Sequence, residues 1–220
     1  MAKLVWDQQG NKYYKTGVDR GVLYPLKSNA YEQGYAWDGL RSVNETPSGG
    51  EPTDLYANNA KYATLMSTEG LSITIGAYIY PDEFAACNGE VAPTGVDGVS
   101  LGQQTRQAFG FAYRTLLGND TQGTEAGYQL HLVYNLLASP SEVSNETIND
   151  SPAAAELSWE CTSTPVACTG HKPVCKITID SRAADPTKLA ELEKALYGDE
   201  SNEARLPLPD EVITMMTSGE

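Results

Sequence analysis

The chain has 220 residues, 40% of them hydrophobic and 20% charged, which are the proportions of a folded globular protein and exclude a disordered one. Its 29 acids against 15 bases give a formal net charge of −14, a sign that repels phosphate and argues against tight electrostatic binding of nucleic acid. No apolar run approaches the roughly 18 residues that a membrane-spanning helix needs.

The start, Met1 to Asp7, turns polar at once and lacks a signal-like apolar core, so the protein is expected to stay in the compartment where it is made. Two short strands are predicted, Lys3–Trp6 and Gly21–Leu26, with Tyr13, Tyr14, Tyr24, Tyr31 and Tyr35 around them. Pro47-Ser48-Gly49-Gly50 and Pro52 then read as a long loop from Asn44 to Asn59, a candidate arm toward another subunit. Leu71, Ile73, Ile75, Ala77 and Ile79 alternate with small or polar residues and predict a strand with one buried face.

Pro81, the acids Asp82 and Glu83, and a closing Asn88-Gly89 describe one or two helical turns. A loop from Val91 to Gln104 follows. Period-two patterns recur at Phe109, Phe111 and Tyr113; at Tyr128, Leu130, Leu132, Tyr134 and Leu136; and at Ala155, Leu157, Trp159 and Cys161. The turn Gly118–Gly123 joins the first two, and a polar loop from Ser139 to Pro152 precedes the strand predicted over Ala153–Thr164. A further strand is expected over Val174–Asp180. Asp185 as N-cap, Pro186 at the first position, the stripe Leu189, Leu192, Leu196 and a terminal Gly198 predict a helix over 186–197 that lies on a sheet face. The tail carries Leu206-Pro207-Leu208-Pro209 and an amphipathic turn at Val212–Met216, read as a docking tail or a frayed end.

Nothing along this path assembles a catalytic set. Nucleophilic catalysis needs a base beside a Ser, Thr or Cys, and only His131 and His171 are available. His131 sits out of phase with Leu130 and Leu132, which predicts a surface or interface side chain. Asp82 with Glu83 fits a helix start, and Glu156 with Glu160 fits the polar face of a strand. The glycine-rich stretches at Gly49-Gly50 and Gly95–Gly102 lack the lysine and hydroxyl of a phosphate cradle. Cys161, Cys168, His171 and Cys175 offer four possible zinc ligands, but their C-x6-C-x2-H-x3-C spacing lacks the C-x2-C knuckle, and with Cys87 they read as reduced, partly buried thiols. The 13 tyrosines, by contrast, suit a protein in contact with copies of itself, because tyrosine combines large contact area with a hydroxyl.

Several runs resemble the major tail proteins of bacteriophages, the tail tube subunits of long non-contractile tails. They are Gly-Val-Leu-Tyr-Pro-Leu at 21–26, Ala36 through Asn59, Ala77 through Phe84, Leu-Gly-Gln-Gln-Thr-Arg at 101–106, Phe111 through Thr121, Tyr128 through Tyr134, Ala138 through Glu142, and Thr147 through Trp159. The likeness spans roughly residues 17 to 217 in order and is weakest at Cys161–Cys175. It implies a mainly β (α+β) chain: the phage tail tube fold, a β-sandwich or half-barrel flanked by one α-helix, with long loops and terminal arms. On that reading residues 1–20 form an N-terminal arm, 21–198 the β domain with its C-terminal helix, and 199–220 a C-terminal tail. Six copies would close a ring around a continuous inner barrel, and rings would stack through loops and arms, with Asn44–Asn59 and Val91–Gln104 as the candidate contacts.

The implied partners are the chain itself, the tape measure, tail terminator and distal tail proteins, and viral DNA that passes without specific binding. The implied location is the virion tail, assembled in the bacterial host cytoplasm, with no enzyme site, cofactor, metal or membrane contact. Between Lys61 and Gly170 twelve acids face only Lys61, Arg106 and Arg114, the balance of a wall past which a polyanion slides. The alternative reading is a soluble carbohydrate- or protein-binding β-sandwich module that uses the exposed tyrosines.

Overall fold

A computed structural model describes residues 4–31, 33–145, 147 and 154–217. Part of the expected strand at Lys3–Trp6, Ala153 at the head of another, and most of the Thr147–Pro152 run lie outside the described residues. The chain is mainly β, and among the described residues every ladder is antiparallel. The strands are β1 (Tyr14–Pro25), β2 (Tyr35–Ala36), β3 (Leu40–Ser48), β4 (Pro52–Ala57), β5 (Ala60–Met66), β6 (Gly70–Ala77), β7 (Phe109–Asn119), β8 (Gly123–Ala138), β9 (Leu157–Ser163) and β10 (Lys176–Asp180). The helices are α1 (Phe84–Asn88), α2 (Pro186–Tyr197) and α3 (Pro209–Met216).

One sheet runs β2-β1-β7-β8-β9-β6-β3, with β10 also paired to β8, while β4 and β5 form a separate two-stranded sheet. The long strand β8 is where the sheet divides. One edge holds β7 along its length, whereas the other holds β10 at Gln129–Val133 and β9 at Leu136–Ala138. Asn135 sits at the fork with φ of 49°, the left-handed region that asparagine tolerates better than most residues. Its backbone stays satisfied: its N–H donates to the Tyr31 hydroxyl at 3.0 Å, and its carbonyl accepts from the Thr164 N–H at 3.0 Å. This break reverses the phase of the strand. Leu130, Leu132 and Tyr134 point into one core and Leu136 into another, so the single apolar face expected from Tyr128 to Leu136 is really two.

The β9-β6-β3 arm folds back over β1-β7-β8 and encloses the first core. Ile73 and Ile75 from β6, Trp159 and Cys161 from β9, and Phe109 and Phe111 from β7 meet there, with α1 plugging the open end through Phe84 and Cys87. The Trp37 ring lies 4.7 Å from that of Phe84, 5.5 Å from Phe111 and 5.6 Å from Trp159, centroid to centroid, so aromatic edges and faces tie the layers together. α1 ends as expected on Gly89, whose φ of 79° places it in the left-handed region.

The opposite face of β1-β7-β8-β10 carries the second core, where α2 lays Leu189, Leu192 and Leu196 against Tyr24, Leu132 and Tyr134. Asp185 caps α2 as expected, accepting from the N–H groups of Thr187 and Lys188 at 2.9 and 3.1 Å. The buried phenols are satisfied. Tyr24 donates to the Leu196 carbonyl at 2.6 Å and Tyr134 to the Pro207 carbonyl at 3.0 Å.

Three expectations change. Two helices flank this face, not one, because the tail is not frayed but docks on its own chain: Leu206 and Val212 enter the second core and α3 closes on them. Asn44–Asn59 is not a loop. Its first part is in β3, paired with β6, and the rest supplies the Gly49-Gly50 turn, β4 and the Asn58-Asn59 tip of the β4–β5 hairpin. The strand expected at Gly21–Leu26 is the end of a longer one that starts at Tyr14, while Leu4–Trp6 is not strand.

Candidate assembly surfaces

The β4–β5 hairpin is the feature that the compact layers do not explain. Gly49 and Gly50, with φ of 76° and 71°, turn the chain out of β3, and a Cβ on Gly49 would meet the Thr68 carbonyl oxygen at 2.2 Å. At the tip Asn58 and Asn59 have φ of 51° and 61°, the pair of left-handed residues that a tight two-residue hairpin requires. Lys61 and Thr64 hold Asp54 from the facing strand at 2.7 and 2.8 Å. Nearly every side chain of the ribbon is exposed, including Leu55, Tyr56, Tyr62, Leu65 and Met66, and none of them enters either core. A two-stranded ribbon alone in water is marginal at best. Large apolar side chains along one are the mark of a surface that another molecule covers.

A second exposed segment precedes β1. Leu4, Val5 and Trp6 are 73%, 62% and 76% exposed. The chain is anchored behind them, where the Gly10 N–H donates to both carboxylate oxygens of Asp120 at 3.0 and 3.2 Å and the Asn119 amide donates to the Gly10 carbonyl at 3.2 Å. The Val91–Gln104 loop is pinched by a bridge between Val91 and Leu101, and it also presents Val96, Val99 and Leu101 to solvent.

The outer face of β6 and β9 is of another kind. Ser72 and Thr74, then Ser158, Glu160 and Thr162, alternate with the core residues of these strands. Glu142 and Glu156 join Thr74, Ser158 and Glu160 around a shallow depression of about 600 Å³. Arg41 pairs with Glu156 beside it. The surface is flat, hydroxyl-rich and negatively charged.

The residues singled out for chemistry fall elsewhere. His131 is not on the surface: it is 5% exposed and stacks on Tyr113 at 4.6 Å with 13° between the rings. Thr115 Oγ1 lies 2.9 Å from its Nε2, Thr178 Oγ1 lies 3.4 Å from Nδ1, and the Glu45 carboxylate is 3.9 Å away. The phase argument was sound, but the face it assigned to solvent is the one that β3 covers. β3 crosses the first layer, with Leu40 against Gly21 of β1 and Glu45 reaching Tyr113 of β7 and Lys176 of β10, both of which donate to its carboxylate.

Burial raises the Glu45 carboxyl, but the hydrogen bonds from Lys176 and Tyr113 outweigh it and hold the group below its ordinary value. Burial drives His131 down to about 4, against the pull of Glu45. The cluster fastens one layer to the other.

Cys161 is in the first core, whereas Cys168 lies against Asp210 at the start of α3 and Cys175 precedes β10. Burial pushes the Cys87 and Cys161 thiols up to about 12, which keeps them protonated and unreactive. Among the described residues, no three His, Cys, Asp or Glu side chains converge to hold a metal ion. Glu156 and Glu160 stand on the polar outer face as expected. Asp82 and Glu83 lie just ahead of α1 rather than in its first turn.

No family model matches the sequence, and no curated protein matches it. Among solved structures the chain is similar to one from the sheath-tube complex of an extracellular contractile injection system in its extended state, studied by cryo-EM. The two are 12% identical, the match covers 73% of this chain and 88% of that one, and the TM-score is 0.33. A likeness at that TM-score does not establish a common fold.

Proposed function

We propose that the chain is the repeating, non-enzymatic subunit of a phage-type tail tube: six copies close a ring, and rings stack into a hollow tube that passes viral DNA during ejection. The observation that carries this reading is the β4–β5 ribbon, with Leu55, Tyr56, Tyr62, Leu65 and Met66 in solvent on a hairpin that needs a partner to be stable. The ordered likeness to phage tail tube subunits from residue 17 to 217 names the kind of assembly. The outer face of β6 and β9 is the lumen candidate, because the carboxylates of Glu142 and Glu160, beside a Glu156 already paired with Arg41, leave it net negative and repel a phosphate backbone instead of holding it. In the particle the partners would be further copies of this chain, then the tape measure, tail terminator and distal tail proteins, all in the virion tail.

Electron microscopy of the purified chain at rising concentration tests the reading. Rings and hollow tubes are expected. A variant with residues 51–67 replaced by a short Gly-Ser linker keeps both cores and is expected to lose the tubes while its circular dichroism stays that of a folded β protein. Monodisperse monomers of the intact chain under all salt and concentration conditions would overturn it.

A further inference from the structure

The exposed segment Leu4–Trp6 and an apolar-walled groove lie at opposite ends of the molecule. The groove, about 340 Å³, is lined among others by Leu26, Asn29, Asn135, Pro165, Val166 and Leu208. It sits at the end of the sheet where Leu26 bonds to Ala108 and Leu136 faces Phe109. The arm is tied at the other end, where Gly10 is held by Asn119 and Asp120 at the β7–β8 turn. β7 alone, at 11 residues, separates the two ends, which is roughly 33 Å of strand. From Gly10 the chain back to Trp6 spans at most about 14 Å, and back to Leu4 about 20 Å. The arm therefore cannot reach the groove of its own molecule.

We infer that Trp6, with Leu4 on the same side of an extended arm, enters the Leu26–Val166–Leu208 groove of a second copy of this chain. Donor and acceptor are at opposite ends, so the contact is head-to-tail and repeats from copy to copy rather than closing as a twofold pair. Trp6 has 76% of its surface in water, whereas the groove offers apolar walls and the Asn29 and Asn135 amides as partners for the indole N–H. The inference deepens the tube reading and rests on it, since it names the contact that joins one ring to the next.

Trp6 reports on its own position. Of the three tryptophans, Trp37 and Trp159 are each 3% exposed in the first core, so an emission change on assembly belongs to Trp6. On raising the concentration of the full chain, the emission should shift to the blue and acrylamide quenching should fall several-fold. The Trp6→Phe variant should show neither change. Leu208→Asp puts a charge in the groove at the N-cap position of α3, where aspartate is a favoured residue, so the fold is kept and the docking lost.

The decisive arm mixes Leu208→Asp, which keeps its arm, with Trp6→Ala, which keeps its groove: the blue shift absent from each alone should return in the mixture. Tubes in which Trp6 stays open to acrylamide would overturn the arm contact and leave the tube reading standing. Head-to-tail oligomers with a protected Trp6 but no rings would support the contact and overturn the tube. A mixture that fails to recover the shift, or a chain that never associates, overturns the contact.

Discussion

Glu45 is a charged side chain that a sequence reader would leave on the surface, yet it joins β3 to β7, β8 and β10 through Tyr113, His131 and Lys176. Its neighbours set the behaviour of the fold in acid. His131 has its proton affinity lowered to about 4 in the folded chain, while the unfolded chain titrates near 6.5. Between those values the unfolded chain takes up a proton that the folded one refuses, so stability falls as pH drops from about 6.5 to 4. The span corresponds to about 3 kcal/mol at most. Lys176 and Lys15 oppose protonation of the ring and Glu45 favours it, and Glu45 itself contributes stability that is lost only at lower pH, as its own carboxyl protonates. Urea midpoints between pH 7 and pH 4 should decline for the native chain. They should be lower at pH 7 but much flatter for His131→Gln; an unchanged slope in that variant would remove His131 from the account. At the same scale, Asp185→Ala removes the cap of α2 and should cost about 1 kcal/mol, read as a lower melting temperature.

Among the elements, β8 governs the topology, because one strand serves two partners on the same edge. The switch from β10 to β9 depends on Asn135 holding φ of 49°. Glycine adopts that conformation freely, whereas a β-branched residue resists it. Asn135→Gly should therefore stay close to the native stability, and Asn135→Val should lose about 1–3 kcal/mol. Equilibrium urea unfolding of both variants checks this, and equal losses would mean that the side chain, not the backbone, holds the fork. The same element explains why the periodicity was only half informative. Alternation placed Leu130, Leu132 and Tyr134 together on one face, but a single left-handed residue sent Leu136 to the other. A similar gap hid the β4–β5 hairpin: Pro47, Gly49, Gly50 and Pro52 read as loop, and Asn58-Asn59 was the turn signal to weigh against them. α2, in contrast, was plain from Asp185, Pro186 and its leucine stripe, because capping and amphipathic spacing are local.

For the molecule as a whole, charge and exposed apolar surface act in opposition. Copies carrying a net charge of −14 repel one another, while the hairpin and the N-terminal arm offer apolar contact. Raising the ionic strength from about 0.01 M to about 0.1 M shortens the screening length from about 30 Å to about 10 Å. Salt should therefore lower the concentration at which the chain associates, as measured by sedimentation. Dissociation on adding salt would mean that ion pairs, not apolar contacts, hold the copies together.

Composition, alternation and capping residues were enough to determine a mainly β chain, its helix at 186–197 and its short α1, since each depends on neighbours a few positions apart. Which face of each strand is covered, where the sheet forks, that His131 is enclosed, and that the arm and the groove lie too far apart to meet were decided only by tertiary structure. Those outcomes depend on which distant strands come together, and side-chain order along one strand carries no record of what crosses above it.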